Sequence, residues 1–284
     1  MDLGEFTECA PNVDGSVGVC MTPTAVKHVA KIVSQNKSLP SDLQLPVITS
    51  STPSEIIKVA KKVTKCDSES CVVRKVLPST IALVELQERF KPHGPRYGEQ
   101  LLDNFNIDNV LQQYGKKFSD FHHVDFQMID FDEKGTALSF INLPNYITKE
   151  TKYVGCIINT DISAPGHHGI HWFALFIDLS RTGTTRDPYT IEYFNSSGRQ
   201  PMEQIQIWAH RKIQELEQSM RNSHCEFVIS TRIRQQNDKH SCGPYSLYYI
   251  ISRLEGTPWR WFGLNYITDT KMHEFRKHLF RKTE

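Results

Sequence analysis

Cys242 stands at the head of Ser241-Cys242-Gly243-Pro244-Tyr245-Ser246-Leu247, and Leu247, Ile250, Ile251 and Leu254 follow at i, i+3, i+4, i+7 spacing. That spacing predicts a helix with one face on the core. Ser241 suits the N-cap and Pro244 is tolerated in the first turn, so Cys242 falls at the helix N-terminus. The helix dipole there favours a thiolate, the nucleophilic form of cysteine. Free N–H groups at the same end can donate to an oxyanion. Alone, this describes a buried structural thiol at least as well, because free cysteine is among the most buried residue types.

A nucleophile needs a base. His171 opens the apolar run His171-Trp172-Phe173-Ala174-Leu175-Phe176-Ile177, and Asn195 closes Ile191-Glu192-Tyr193-Phe194-Asn195. Antiparallel pairing of these two strands brings His171 and Asn195 to one sheet end. The amide oxygen can then accept from the imidazole and turn its other nitrogen toward a thiol. Gln236, six residues before Cys242, can supply a side-chain N–H beside the Cys242 backbone N–H as an oxyanion hole. Singly, a surface histidine, a turn asparagine and a solvated loop glutamine are ordinary. Jointly with Cys242 they point to nucleophilic acyl transfer.

The elements that must position these residues are those of an α+β chain, a mixed sheet packed on helices. Strands are expected over Val154–Ile158, Trp172–Ile177, Thr190–Phe194 and Glu226–Ile229. Helices are expected over Pro201–Met220, Ser241–Leu254, Asp269–Phe280 and the stretch through Val110, Leu111 and Tyr114. Residues 124–148 read as short strands and turns. The first ninety-odd residues read as short helices starting at Thr22-Pro23, Thr52-Pro53 and Ser79, with a loop over Ser38–Pro53. The breaker cluster Lys91-Pro92-His93-Gly94-Pro95-Arg96 marks a boundary between a helical N-terminal arm domain, 1–96, and a catalytic core domain, 97–284.

The chain has 284 residues with 33 basic and 32 acidic side chains, so no global charge draws it to nucleic acid or membrane. The terminal Arg276-Lys277-His278 and Arg281-Lys282 run reads as a solvated helix face, with nucleic-acid contact left open. No apolar run approaches the ~20 residues of a membrane-spanning helix, and Met1–Glu5 lacks a signal-peptide start, so a reducing compartment and no membrane insertion are expected. The seven cysteines, Cys9, Cys20, Cys66, Cys71, Cys156, Cys225 and Cys242, are then expected mostly as plain thiols. Cys66, Cys71 and His93 lack zinc-site spacing, and His167-His168 reads as an exposed turn. No cofactor and no metal are expected.

The order His, Asn, Gln, Cys resembles that of the SUMO-specific and adenovirus-type cysteine proteases, carried by Gly169-Ile170-His171-Trp172, Tyr193-Phe194-Asn195-Ser196, and Gln236 with Ser241-Cys242-Gly243-Pro244. Within that superfamily the chain is similar to the polyprotein-processing cysteine proteases of African swine fever virus and related large DNA viruses. The resembling stretches include Cys66–Cys71, Asn104–Asp108, Asn159-Thr160-Asp161 and His278–Arg281. Asn195, where most SUMO proteases carry Asp, favours this viral group. The resemblance implies a SUMO-protease-like core with a helical arm. It implies cleavage after Gly-Gly in viral structural polyproteins during virion maturation, with core-shell or capsid components as partners. The site of action would be the host cytoplasm, in viral factories, and the virion. Glycine can pass a channel too narrow for other residues, and Trp172 is a candidate channel wall, though a core aromatic fits as well. Two other readings stay open: a SUMO or ubiquitin-like deconjugating isopeptidase, and a catalytically silent scaffold that binds a glycine-rich tail.

Overall fold

The computed structural model describes residues 5–14, 18–35 and 52–282, so most of the Ser38–Pro53 loop lies outside the described residues. The chain divides into two compact units, one of residues 3–96 and 277–284, the other of 1–2 and 97–276. The division at 96/97 falls at the breaker cluster. Residues from Lys277 onward group with the N-terminal unit.

In the first unit, α1 (Pro23–Ser34), α2 (Pro53–Thr64), α3 (Glu69–Val76) and α4 (Ser79–Glu88) surround their own apolar cluster. Thr22 caps α1 through Ala25 N–H, and Thr52 and Glu55 cap α2 reciprocally. Helix α3 is an addition to the sequence reading. Its Glu69 is buried, and the carboxylate accepts from Cys20 N–H and Met21 N–H. Cys9 pairs with Cys20 and Cys66 with Cys71 as disulfides, which corrects the expectation of plain thiols. The fold brings the Cα atoms to 4.9 and 5.7 Å, a proximity that sequence spacing does not reveal.

The second unit comprises α5 (Asn104–Lys117), β1 (Phe121–His123), β2 (Gln127–Met128), α6 (Phe131–Lys134), α7 (Leu143–Thr148), β3 (Tyr153–Asn159), β4 (Trp172–Asp178), β5 (Tyr189–Phe194), α8 (Glu203–Ser219), β6 (Cys225–Ile229), α9 (Cys242–Leu254), α10 (Trp261–Leu264) and α11 (Asp269–Leu279), whose last residues belong to the first unit. The 124–148 stretch thus holds two short helices where the sequence suggested only strands and turns. Strand order is β1-β3-β4-β5-β6, with β2 also pairing β3. β4 runs antiparallel to both of its neighbours, β3 and β5, while β1 and β2 run parallel to β3 and β6 runs parallel to β5. This is the expected mixed sheet flanked by helices.

β4 and β5 are buried along their whole length, which explains their continuous rather than alternating apolar pattern. Alternate residues of the sheet meet different helices. Phe173, Leu175, Ile191 and Tyr193 cluster with Trp208 and Leu216 of α8. Glu192 and Phe194 meet α9: Phe194 stacks on Tyr249 at 4.6 Å, and Glu192 binds Arg253. Helix α9 is buried at every residue, not on one face, because Tyr248 packs on Phe275 of α11 while Tyr249 also packs on Phe262 of α10. Arg253 reaches Glu192 at 2.7 Å and Asp178 at 2.8 Å, and Tyr249 Oη donates to Glu192 at 2.6 Å. This buried charge network ties the Cys242 helix to both strands that lead to His171 and Asn195. Its geometry is fully paired, the condition under which buried charges are tolerated.

Candidate active site

The β4–β5 register pairs Ala174 with Phe194, so His171, just before β4, and Asn195, just after β5, share one sheet end. His171 Nε2 lies 2.8 Å from Asn195 Oδ1. Ser197 N–H and Oγ also donate to that oxygen, and Asn195 Nδ2 donates to Tyr193 Oη at 2.8 Å. With every amide atom engaged, the oxygen faces the ring. Nε2 is then the donor, and Nδ1 is left as the basic nitrogen.

The loop before His171 is pinned by side chains. Asn159 Oδ1 accepts from Ile170 N–H at 2.9 Å and Asp161 N–H at 3.0 Å. The Asp161 carboxylate accepts from Gly169 N–H and faces His167 Nδ1 at 2.6 Å. Gly169 has φ +88°, and a Cβ there would lie 2.7 Å from Asn159 Nδ2, so both conformation and space require glycine. His167 and His168 are exposed, as expected, but His167 braces this loop.

Cys242 is the first residue of α9 and is 3% exposed. Ser241 occupies the N-cap position without capping; its hydroxyl donates to Asp238 Oδ2 instead. Burial pushes the Cys242 thiol up, and the backbone N–H groups of Trp172, Gly243 and Cys242 itself pull the other way. The net direction is upward, so desolvation outweighs the stabilisation expected of the helix start. Cys156 and Cys225 differ: burial lifts Cys156 well above the usual thiol range and Cys225 to about 12. Burial lowers His171 below the usual histidine range; the Asn195 bond opposes this, and the Arg199 charge adds to it.

Gln236 is buried and held at both ends of its amide. Ser196 Oγ donates to its Oε1 at 2.8 Å, and its Nε2 donates to Asp238 O and Oδ1 at 3.0 and 3.2 Å. Asp238 Oδ1 also accepts from His240 N–H and Ser241 N–H. Burial opposes ionisation of Asp238, but the bonds from Ser241, His273 and His240 N–H hold its carboxyl down at about 2. Asp269 of α11 accepts from Asn237 N–H, Asp238 N–H and Tyr245 Oη, docking the whole loop on that helix. Trp172 is buried, its indole N–H donates to Leu102 O at 3.0 Å, and Phe126 packs on it edge-on.

The fold thus brings His171, Asn195, Trp172, Gln236 and Cys242 onto one set of contacts. Sequence reasoning missed the residues that hold them: Tyr193, Asn159, Asp161, Asp238 and Asp269. Tyr193 was findable, since residues two apart share a strand face, and Asp238 from its three-residue spacing to Ser241. Thiol, imidazole and amide in this order suit nucleophilic acyl transfer.

Residues 101–284 match the Ulp1 protease family, C-terminal catalytic domain. The SUMO-1 cysteine protease of African swine fever virus is 36% identical over 242 residues, covering 78% of this chain and 85% of that protein. A thiol protease of Acanthamoeba polyphaga mimivirus is 24% identical over 68% of this chain and 60% of that protein. The crystal structure of the African swine fever virus protease superposes with a TM-score of 0.76 at 29% identity, covering 98% of this chain and 96% of that one.

Proposed function

Since the chain belongs to the Ulp1 protease family and is a cysteine protease, we propose that it is an endopeptidase that cuts after Gly-Gly in viral structural polyproteins. In this reading Cys242 is the nucleophile, His171 the base, Asn195 the orienter, and Gln236 with the Cys242 backbone N–H the oxyanion donors. The observation that supports it is the His171–Asn195 bond at the shared end of β4 and β5, with Cys242 buried as the first residue of α9 and its thiol stabilised by the backbone N–H of Trp172, the residue after His171.

The thiol proton passes to His171 Nδ1 as the sulfur attacks the carbonyl carbon of the second glycine. The S–C bond forms, and the carbonyl π pair moves onto oxygen, where Gln236 and the Cys242 N–H receive it. The Gln236 Nε2–H on the longer contact, 3.2 Å to Asp238 Oδ1, is the one that turns to the oxyanion. The C–N bond then breaks, with the amine taking the proton from His171. Water, deprotonated by His171, releases the acyl group from Cys242.

The glycine preference rests on Trp172. Its indole is fixed by Leu102 and Phe126, and Gly243 lies against Leu102, where a Cβ would come within 3.1 Å. In this reading the fixed Trp172 side chain forms one wall of the substrate channel, and a narrow channel favours substrate residues without side chains. The partners in this reading are the polyprotein and the core-shell or capsid components it yields, in host cytoplasmic factories and the virion. A second reading is favoured by one observation, the African swine fever virus relative's name of SUMO-1 cysteine protease. The same chemistry would cut an isopeptide bond to lysine.

The test is cleavage of a Gly-Gly-X peptide and of a SUMO–lysine conjugate by the wild type and Cys242→Ala. The wild type is expected to cut the peptide and the variant to be slower by about 10³-fold or more. Cleavage of the conjugate alone overturns the polyprotein assignment, and cleavage of neither overturns the glycine specificity.

A further inference from the structure

Among the described residues, two groups of side chains have metal-ligand chemistry at close range: Asp238, His240 and His273, and Asp108, His123 and Asp125. Their geometries differ in kind. In the second group one imidazole turns different nitrogens to two carboxylates, Nε2 to Asp108 at 3.2 Å and Nδ1 to Asp125 at 3.8 Å. A single ring cannot aim both nitrogens at one ion, so that group does not converge on a shared ion. In the first, two imidazoles turn the same nitrogen, Nε2, toward the same oxygen, Asp238 Oδ2, at 2.9 Å from His273 and 3.4 Å from His240.

We propose that Asp238, His240 and His273 bind a divalent transition-metal ion of the zinc type, joining the loop before Cys242 to α11. Four features support this. The ligand atoms lie within 4.8 Å of one another, and two of the separations bracket the ~3.3 Å edge of a tetrahedron with ~2.0 Å zinc–ligand bonds. The rings of His240 and His273 are stacked, with centroids at 5.4 Å and planes 16° apart, so they present their nitrogens side by side. The carboxylate is already oriented through its other oxygen, Oδ1, by His240 N–H, Ser241 N–H and Gln236 Nε2, the outer-shell support a ligating carboxylate needs. The His273 side chain is 45% exposed, which gives an entry path.

Two imidazoles and one carboxylate select zinc, cobalt or nickel over calcium and magnesium, which take oxygen ligands. Three protein ligands leave a fourth position for water. Binding requires both Nε2 atoms to be unprotonated, so any proton on either passes to Nδ1 or to solvent. The Ser241 hydroxyl, 2.5 Å from Oδ2, shares that oxygen with the ion. The contacts through Oδ1 remain, and the ion adds a cross-link between two elements that Asp269 already joins by hydrogen bonds.

The test uses the full chain carrying Cys242→Ala, so that the site thiol cannot ligate, titrated with Co²⁺ and followed by visible absorption and calorimetry. We expect one site with ligand-field bands of a nitrogen/oxygen environment and no sulfur-to-cobalt charge-transfer band. Adding His273→Ala, an exposed substitution, should weaken that site at least ~10-fold, as should His240→Ala. Circular dichroism of the metal-free variants verifies that both remain folded. Unchanged binding in the His273→Ala form, a charge-transfer band marking cysteine ligation, or no binding at all overturns the proposal. Thermal melting gives a second readout: Zn²⁺ should raise the Tm of Cys242→Ala and not that of the double variant.

Discussion

The two sides of the site are built by different physics. The His171–Asn195 side hangs on the ends of two paired strands, whose register is fixed by backbone hydrogen bonds and continuous burial. The Gln236–Cys242 side is a loop and a helix start, shaped by carboxylates: Asp238 bonds four groups of its own loop, and Asp269 docks that loop from α11. A sheet end tolerates change in any one side chain because the ladder remains. A carboxylate-organised loop concentrates its order in a few side chains. The difference teaches that the base side should fail through chemistry and the nucleophile side through geometry.

After loss of the nucleophile itself, the largest effect should come from Gln236→Ala, which removes a proposed oxyanion donor and the partner of both Ser196 and Asp238. We expect kcat to fall by about 10²–10³-fold with KM little changed, measured on a Gly-Gly-X peptide. A change confined to KM would make Gln236 a binding residue only.

Asp269→Ala sharpens the contrast, since among the described residues the Asp269 carboxylate accepts hydrogen bonds from the loop and from Tyr245. Removing a charged acceptor from three donors should cost about 2–3 kcal/mol in denaturant unfolding and roughly ten-fold in kcat. An unchanged kcat would show that the nucleophile loop keeps its shape without α11.

The smallest change in rate, and the sharpest in pH, should follow Asn195→Asp. In the wild type burial holds His171 below the usual histidine range and lifts Cys242 above the usual thiol range. Both are neutral at rest, so His171 can accept the thiol proton. As pH falls through the lowered His171 pKa the base is protonated and kcat/KM drops. The acid limb should therefore lie below pH ~6.5. A carboxylate at 195 favours the imidazolium, raises that pKa and moves the limb to higher pH, with less than ~10-fold change at the plateau. An acid limb that does not move would mean His171 is not the titrating base.

The legibility of the molecule follows the same division. The central strands and the helix that begins at Cys242 are legible because burial and periodicity write themselves into runs of apolar residues. The bond between His171 and Asn195 then followed from antiparallel pairing. What was not readable depends on tertiary placement. Asp269 stands 27 residues beyond Cys242, and nothing local marks it as a loop anchor. Ser241 looked like a cap, but the competing acceptor on Asp238 takes its hydroxyl. The Cys9–Cys20 and Cys66–Cys71 pairs depend on Cα proximity set by the packing of the N-terminal helices. The direction of the Cys242 shift was misjudged because helix position is visible in sequence and desolvation is not.

The central claim is that Cys242 attacks a glycine carbonyl with His171 as its base. Its most direct test is covalent capture by a peptide ending in Gly-Gly with an electrophilic C-terminal group, mapped by mass spectrometry in the wild type and His171→Ala. The account predicts one adduct, on Cys242, forming at least ~10²-fold more slowly without His171. Labelling of Cys156 or Cys225, or equal rates in both proteins, would contradict it.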